Sequence, residues 1–213
     1  MEPTTYRTVA RPVVARLEEK RSVFECWLRR VEDEAAARAI VEEARATHWD
    51  ARHHCSAFVL GPDGPQQQRR SNDDGEPAGT AGTPMLDALT GAGLGDVVAV
   101  VTRWFGGTLL GTGGLVRAYG GAVRLAVEEA DVLTRRRVRL VDVTVGPELS
   151  GRLEHDLRAR GVEVVDVAWG ADVRMRLGVP VERAERLLEE VAALTSGAAV
   201  VADAGTTWVD AAR

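Results

Sequence analysis

The sequence is poor in cysteine, with only Cys26 and Cys55 in 213 residues. Two cysteines cannot build a disulfide framework, and they lack both the count and the paired spacing of a four-ligand structural zinc site. This usage predicts a reducing, cytoplasmic setting. Lysine is almost absent: Lys20 stands alone among 27 basic residues, in a chain of net charge −5. An anionic partner would therefore have to meet a local arginine patch. Long apolar runs are missing too. The longest, Val97-Val98-Ala99-Val100-Val101, falls far short of the ~20 residues a membrane helix needs, and Glu2, Arg7 and Arg11 leave no apolar stretch near the start. The expectation is a protein that is neither membrane-spanning nor exported. There is also no P-loop Lys-Ser/Thr, no G-x-S-x-G elbow, no EF-hand distal Glu and no internal repeat.

Glycine is present in force. Of the 22 glycines, 15 lie between Gly61 and Gly121, which places the functional surface in that half. Upstream, residues 5–10, 12–19 and 22–30 read as extended. From Asp33 to His48 the positions Ala37, Ile40, Val41 and Ala44 form the apolar stripe of a helix. His53 to Leu60 reads as a strand, 62–74 as a polar loop, and Thr83-Pro84 as the cap and first residue of a short helix. Asp96 to Trp104 is a strand buried on both faces, and a second long helix is expected from Gly114.

At Thr134-Arg135-Arg136-Arg137 the pattern breaks, which sets the expected boundary between domains 1–134 and 138–213. The second has the order β-α-β-β-α-β, the ferredoxin-like arrangement. The fold class expected for the whole chain is α+β. Basic and acidic residues number 15 and 19 over 1–134 and 12 and 13 over 135–213, so neither half is a basic domain.

Two runs carry the chemistry. In Ser71-Asn72-Asp73-Asp74-Gly75-Glu76-Pro77-Ala78-Gly79-Thr80-Ala81-Gly82, the carboxylates of Asp73, Asp74 and Glu76 suit either Mg²⁺ or a tight turn that caps a helix. They lack the alternation of a metal loop, so turn and cap lead and no metal site is expected. The second run is Arg103-Trp104-Phe105-Gly106-Gly107-Thr108-Leu109-Leu110-Gly111-Thr112-Gly113-Gly114-Leu115-Val116-Arg117. Its glycines either turn backbone N–H groups toward an anion at a helix start or serve bending and close packing. Arg103 and Arg117 flank the loop and are expected to be exposed and near one another. Trp104, Phe105 and Tyr119 offer rings for base stacking. His53, in His53-His54-Cys55, is a weaker anion contact; adjacent strand residues face opposite ways, so the three cannot chelate one metal.

The string from Gly82 through Met85-Leu86, Leu89, Leu94 and Val100-Val101 to Arg103-Trp104-Phe105-Gly106-Gly107 and Leu110-Gly111 resembles the signature of the IMPACT/YigZ family. Asp73-Asp74-Gly75-Glu76-Pro77, Gly79-Thr80-Ala81-Gly82 and His54-Cys55-Ser56-Ala57 resemble it as well, with Trp104 where Tyr is usual and Asn72 where Asp is common. The resemblance implies an N-terminal domain of the ribosomal-protein-five domain-two-like fold and a C-terminal domain like domain V of elongation factor G. It further implies a cytoplasmic, non-enzymatic RNA- or ribosome-binding protein linked to translation or stress regulation, without a cofactor. The anion-binding set would be His53, Arg103, Gly106, Gly107, Gly111, Gly113, Gly114 and Arg117. The alternatives are a Mg²⁺-dependent enzyme acting on a phosphorylated small molecule and a module that binds only proteins.

Overall fold

The computed structural model describes residues 3–211, which divide into two compact units meeting between Thr134 and Arg135. In chain order the first holds β1 (Thr5–Val9), β2 (Val13–Glu19), β3 (Ser22–Arg30), α1 (Glu34–Thr47), β4 (His53–Leu60), β5 (Gln68–Asn72), α2 (Gly82–Gly91), β6 (Val97–Trp104) and α3 (Gly111–Glu128). Strand β7 (Val132–Val145) runs through the boundary, and α4 (Pro147–Ala159), β8 (Glu163–Trp169), β9 (Val173–Pro180), α5 (Ala184–Thr195) and β10 (Val200–Asp210) follow.

The first unit is built on an antiparallel sheet of order β2-β3-β6-β4-β5. Side chains alternate across a strand, so the valine run of β6 serves both faces. Val97, Ala99 and Val101 join Phe24, Cys26, Leu28, Cys55 and Ala57 under α2 and α3, where Met85, Leu89, Tyr119 and Val123 complete the larger core. Val98 and Val100 face the other way, with Trp27, Phe58 and Leu60, under Ala37 and Ala44 of α1. Strand β6 is therefore apolar throughout because helices cover the sheet on both sides. Helix α1 starts where expected, the Asp33 carboxylate accepting from the N–H of Ala36 at 2.7 Å.

Three expectations need correction. The polar loop 62–74 contains β5, a fully exposed edge strand paired with β4; its polar residues hid it because an edge strand buries neither face. Thr83 does not cap α2, which begins at Gly82 after Ala81 with no side-chain cap from its own sequence. The units do divide at Thr134/Arg135, but the chain is not interrupted there: Val132–Val145 is one strand running through the boundary. Its arginines stay extended by pairing: the Arg135 guanidinium donates to the carbonyl of Trp208 at 2.8 Å and lies 3.3 Å from Asp210.

In the second unit the strand order is β10-β7-β9-β8, all antiparallel. With α4 and α5 this is the ferredoxin-like sandwich. Its core gathers Val141, Val143, Met175 and Leu177 from the sheet with Leu153, Leu157, Leu187 and Val191 from the helices.

Candidate nucleic-acid interface

The acidic turn between β5 and α2 is shaped by its own side chains. Asn72 Oδ1 accepts from the N–H of Asp74 at 2.7 Å, and Asp74 and Gly75 both take positive φ. The three carboxylates then part company. Asp73 accepts from the N–H groups of Gly79 (2.7 Å), Ala81 (3.0 Å) and Gly82 (2.8 Å), so it caps α2 from nine residues upstream. Burial raises the Asp73 pKa, but these N–H donors outweigh it and the net shift is downward. Asp74 accepts from the N–H of His54 at 2.6 Å and from Arg45 at 2.7 Å. Glu76 is buried and accepts from Arg103 Nη1 at 2.6 Å and from the Tyr119 hydroxyl at 2.7 Å. Each carboxylate is thus committed to a different set of internal donors, and among the described residues no cluster of three metal-ligating side chains forms.

This overturns one expectation. Arg103 is 7% exposed and ion-paired to a carboxylate of its own domain, so it is not an outward phosphate contact beside Arg117. The β3–β6 register sets Arg103 opposite Phe24, on the helix-covered face of the sheet. Its guanidinium lies 5.5 Å from the Phe24 ring and 5.7 Å from the Phe105 ring. Two of the three candidate stacking rings are also structural. Tyr119 is fully buried, edge-on to Phe24. Trp104 is half-buried against His48 and donates through Nε1 to Asp50 at 3.0 Å.

The glycine loop divides its work. Gly106 lies so close to the β2–β3 turn that a Cβ there would sit 2.1 Å from the carbonyl carbon of Arg21, and its N–H donates to Ser22 Oγ at 3.1 Å. Gly107 takes φ +83°, which favours glycine. Gly111, also at positive φ, opens α3 three residues before Gly114. Gly114 packs against Leu110, whereas a Cβ on the exposed Gly113 would meet only the Arg117 side chain at 3.6 Å.

What the loop presents outward is a different set of residues. Arg52, His53, Arg103, Phe105 and Leu109 line a cleft of about 210 Å³. His53 Nδ1 lies 2.8 Å from the carbonyl oxygen of Asp74. A carbonyl only accepts, so Nδ1 carries a proton, which in the neutral imidazole leaves the lone pair on Nε2. Phe105 is 56% exposed, Leu109 84% and Trp49 83%. Arg21 reaches the loop through Thr108 Oγ1 at 3.1 Å. Among the described residues, Arg21, Arg52 and Arg117 are exposed and pair with no carboxylate, as is also true of Arg7, Arg70 and Arg124 elsewhere on this unit, whereas Arg16, Arg29, Arg38, Arg45 and Arg69 each have one. Sequence reasoning missed Arg52, Arg21 and Trp49. Arg52 was detectable as the immediate neighbour of His53, and Trp49 as a large ring in a polar turn. Arg21 becomes visible only through the β3–β6 register.

A two-layered ferredoxin-like domain joined to a helix-covered antiparallel domain, with a glycine-rich edge and an internally satisfied acidic turn, defines a two-domain α+β protein. The family models agree with this division: residues 20–127 match the Impact N-terminal domain and residues 143–198 a domain of unknown function, DUF1949. The chain is 41% identical over 191 residues to the IMPACT family member YigZ of Escherichia coli K12, covering 88% of this chain and 92% of that protein. It is 34% identical to the IMPACT family member YvyE of Bacillus subtilis, covering 91% and 88%. A crystal structure described as that of a hypothetical protein superposes with a TM-score of 0.72 at 36% identity, over 94% of this chain and 97% of that one. The chain belongs to the IMPACT family.

Proposed function

We propose that this protein is a non-enzymatic RNA-binding protein that works on RNA or the ribosome in translation or its stress control, through the edge formed by the 105–110 loop and the start of α3. The observation that carries this reading is the grouping of unpaired guanidiniums with exposed rings. Arg21 and Arg52 touch or border the loop and Arg117 stands on the helix after it, while Phe105 in the loop and Trp49 in the turn after α1 are largely exposed. Cationic side chains without internal carboxylates are free to neutralise phosphates, and exposed rings accept bases of any sequence. A local group of such arginines can attract phosphate although the chain's net charge is −5.

The enzymatic alternative has less support. The carboxylates it would use are engaged by backbone N–H groups, Arg45, Arg103 and Tyr119. Burial pushes the Cys55 thiol up to about 12, which removes the thiolate a nucleophile requires. A protein-only module is favoured by one feature, the apolar exposure of Leu109 and Val116. Fluorescence anisotropy with a short labelled RNA separates these readings. Phe105→Ala is expected to weaken RNA binding about fivefold or more, fivefold being the low end of one lost base stack. Wild-type protein that binds no RNA at low salt sinks the proposal and leaves the protein-partner reading.

A further inference from the structure

Arg103 is buried and paired through Nη1, yet its Nε donor has no acceptor. Buried donors are seldom left so, because an unmet one is costly. Arg103 also borders the cleft shared by Arg52, His53, Phe105 and Leu109. Resting on the RNA-binding reading, we propose that this cleft is a phosphomonoester pocket that receives the terminal phosphate of a nucleic-acid strand. Arg52 stands exposed and unpaired at the cleft, while Arg103 closes it from the protein side. The Phe105 ring lies 5.7 Å from the Arg103 guanidinium and is itself more than half exposed, so this wall of the cleft is free to move as a phosphate oxygen approaches Arg103.

Three features select a strand end over an internal linkage. First, an internal phosphodiester continues on two sides, and a group that must reach a side chain 7% exposed can carry a substituent on one side only. Second, a monoester carries up to two negative charges near neutrality, where a diester carries one. The cleft sets two guanidiniums around it, of which Glu76 balances only Arg103. Third, His53 lines the cleft with Nδ1 held on the Asp74 carbonyl, so its Nε2 can accept from the hydroxyl of a monoanionic monoester or, in the imidazolium, donate to the dianion, and a diester offers neither that hydroxyl nor that second charge. The neighbouring carboxylates do not compete: Asp74 is held by His54 N–H and Arg45, and Asp50 by Trp104.

The test compares one RNA oligonucleotide in three forms, with a 5′-phosphate, with a 3′-phosphate and with hydroxyls at both ends, alongside adenosine monophosphate and inorganic phosphate. At least a tenfold preference for one phosphorylated form is expected over the hydroxyl form, and the identity of that form names the strand end. Arg52→Ala should reduce the ratio to about one, and Arg103→Lys, which keeps a cation opposite Glu76, should reduce it severalfold in protein shown folded by circular dichroism. If Arg103→Lys does not fold, the Arg52→Ala ratio decides. Equal binding of all three RNAs overturns the pocket and leaves RNA binding intact. Binding of the mononucleotide but of no RNA, abolished by Arg52→Ala, supports the phosphomonoester pocket and overturns the RNA reading. A short peptide whose terminal carboxylate displaces the mononucleotide at lower concentration than phosphate does would overturn the assignment to phosphate.

Discussion

Arg103 Nη1 lies 2.6 Å from Glu76 Oε1, and the two side chains are 8% and 4% exposed. That pair ties the last turn of the acidic loop to the end of β6, and Tyr119 adds α3 through the same carboxylate oxygen. One buried charge pair therefore holds together the turn, the sheet end and the helix that frame the glycine-rich edge.

Breaking the pair from one side should be expensive. Arg103→Ala leaves the Glu76 carboxylate buried without its cation, and Glu76→Ala does the same to Arg103; each should cost roughly 3–5 kcal/mol in urea denaturation. Replacing both residues by Met should cost clearly less than the sum. Additive losses would show that the two do not act as a pair.

Asp73 should be worth about 1–2 kcal/mol, because Asp73→Ala removes the acceptor of three N–H groups at the start of α2. Its folded pKa lies below the ordinary value. Its contribution is therefore complete above the unfolded pKa of ~3.9 and is lost as pH falls through the lower folded value. The stability gap between wild type and variant should hold constant from neutral pH to about pH 5 and narrow below about pH 4. A gap that widens on acidification would contradict the assignment.

Both thiols should be inert in the folded protein. Burial pushes Cys55 up to about 12 and raises Cys26 further. Ellman's reagent at pH 8 should label neither until denaturant unfolds the chain. Prompt labelling of Cys55 in folded protein would contradict this burial and give the enzymatic alternative a thiolate.

Two glycines of the same loop should respond in opposite ways. Gly106→Ala forces a Cβ into the backbone of Arg21 and Ser22 and should destabilise by about 2 kcal/mol or more, read as a lower urea midpoint. Gly113→Ala meets only a movable arginine and lies on an exposed helix position, so its stability should hold or rise by up to about 1 kcal/mol, read as an equal or higher urea midpoint.

These contrasts mark what the sequence could reveal. Elements with a buried stripe, such as α1, β4 and β6, were legible because hydrophobic periodicity records which face is covered. Strand β5 was not, since all its residues are exposed. The cap of α2 was misplaced on Thr83 because the acceptor lies across a turn at Asp73, and no local rule connects them. The candidate site was legible as a region but not residue by residue. Gly106 and Gly107 lie where the chain bends and Arg117 stands free, yet Arg103 faces inward because register and burial decide its direction. The residues that replace it outside, Arg21 and Arg52, come to the loop through tertiary contacts.

The most direct test of the RNA-binding edge is the salt dependence of binding to a structured RNA, measured for wild type and for Arg21→Ala, Arg52→Ala and Arg117→Ala, each shown folded. Every neutralised phosphate adds about 0.7–0.9 to the slope of log K against log salt. Each single variant should lower the slope by about that amount, and the triple variant should retain little affinity at ~150 mM salt. A triple variant that keeps the wild-type affinity and slope would contradict the account.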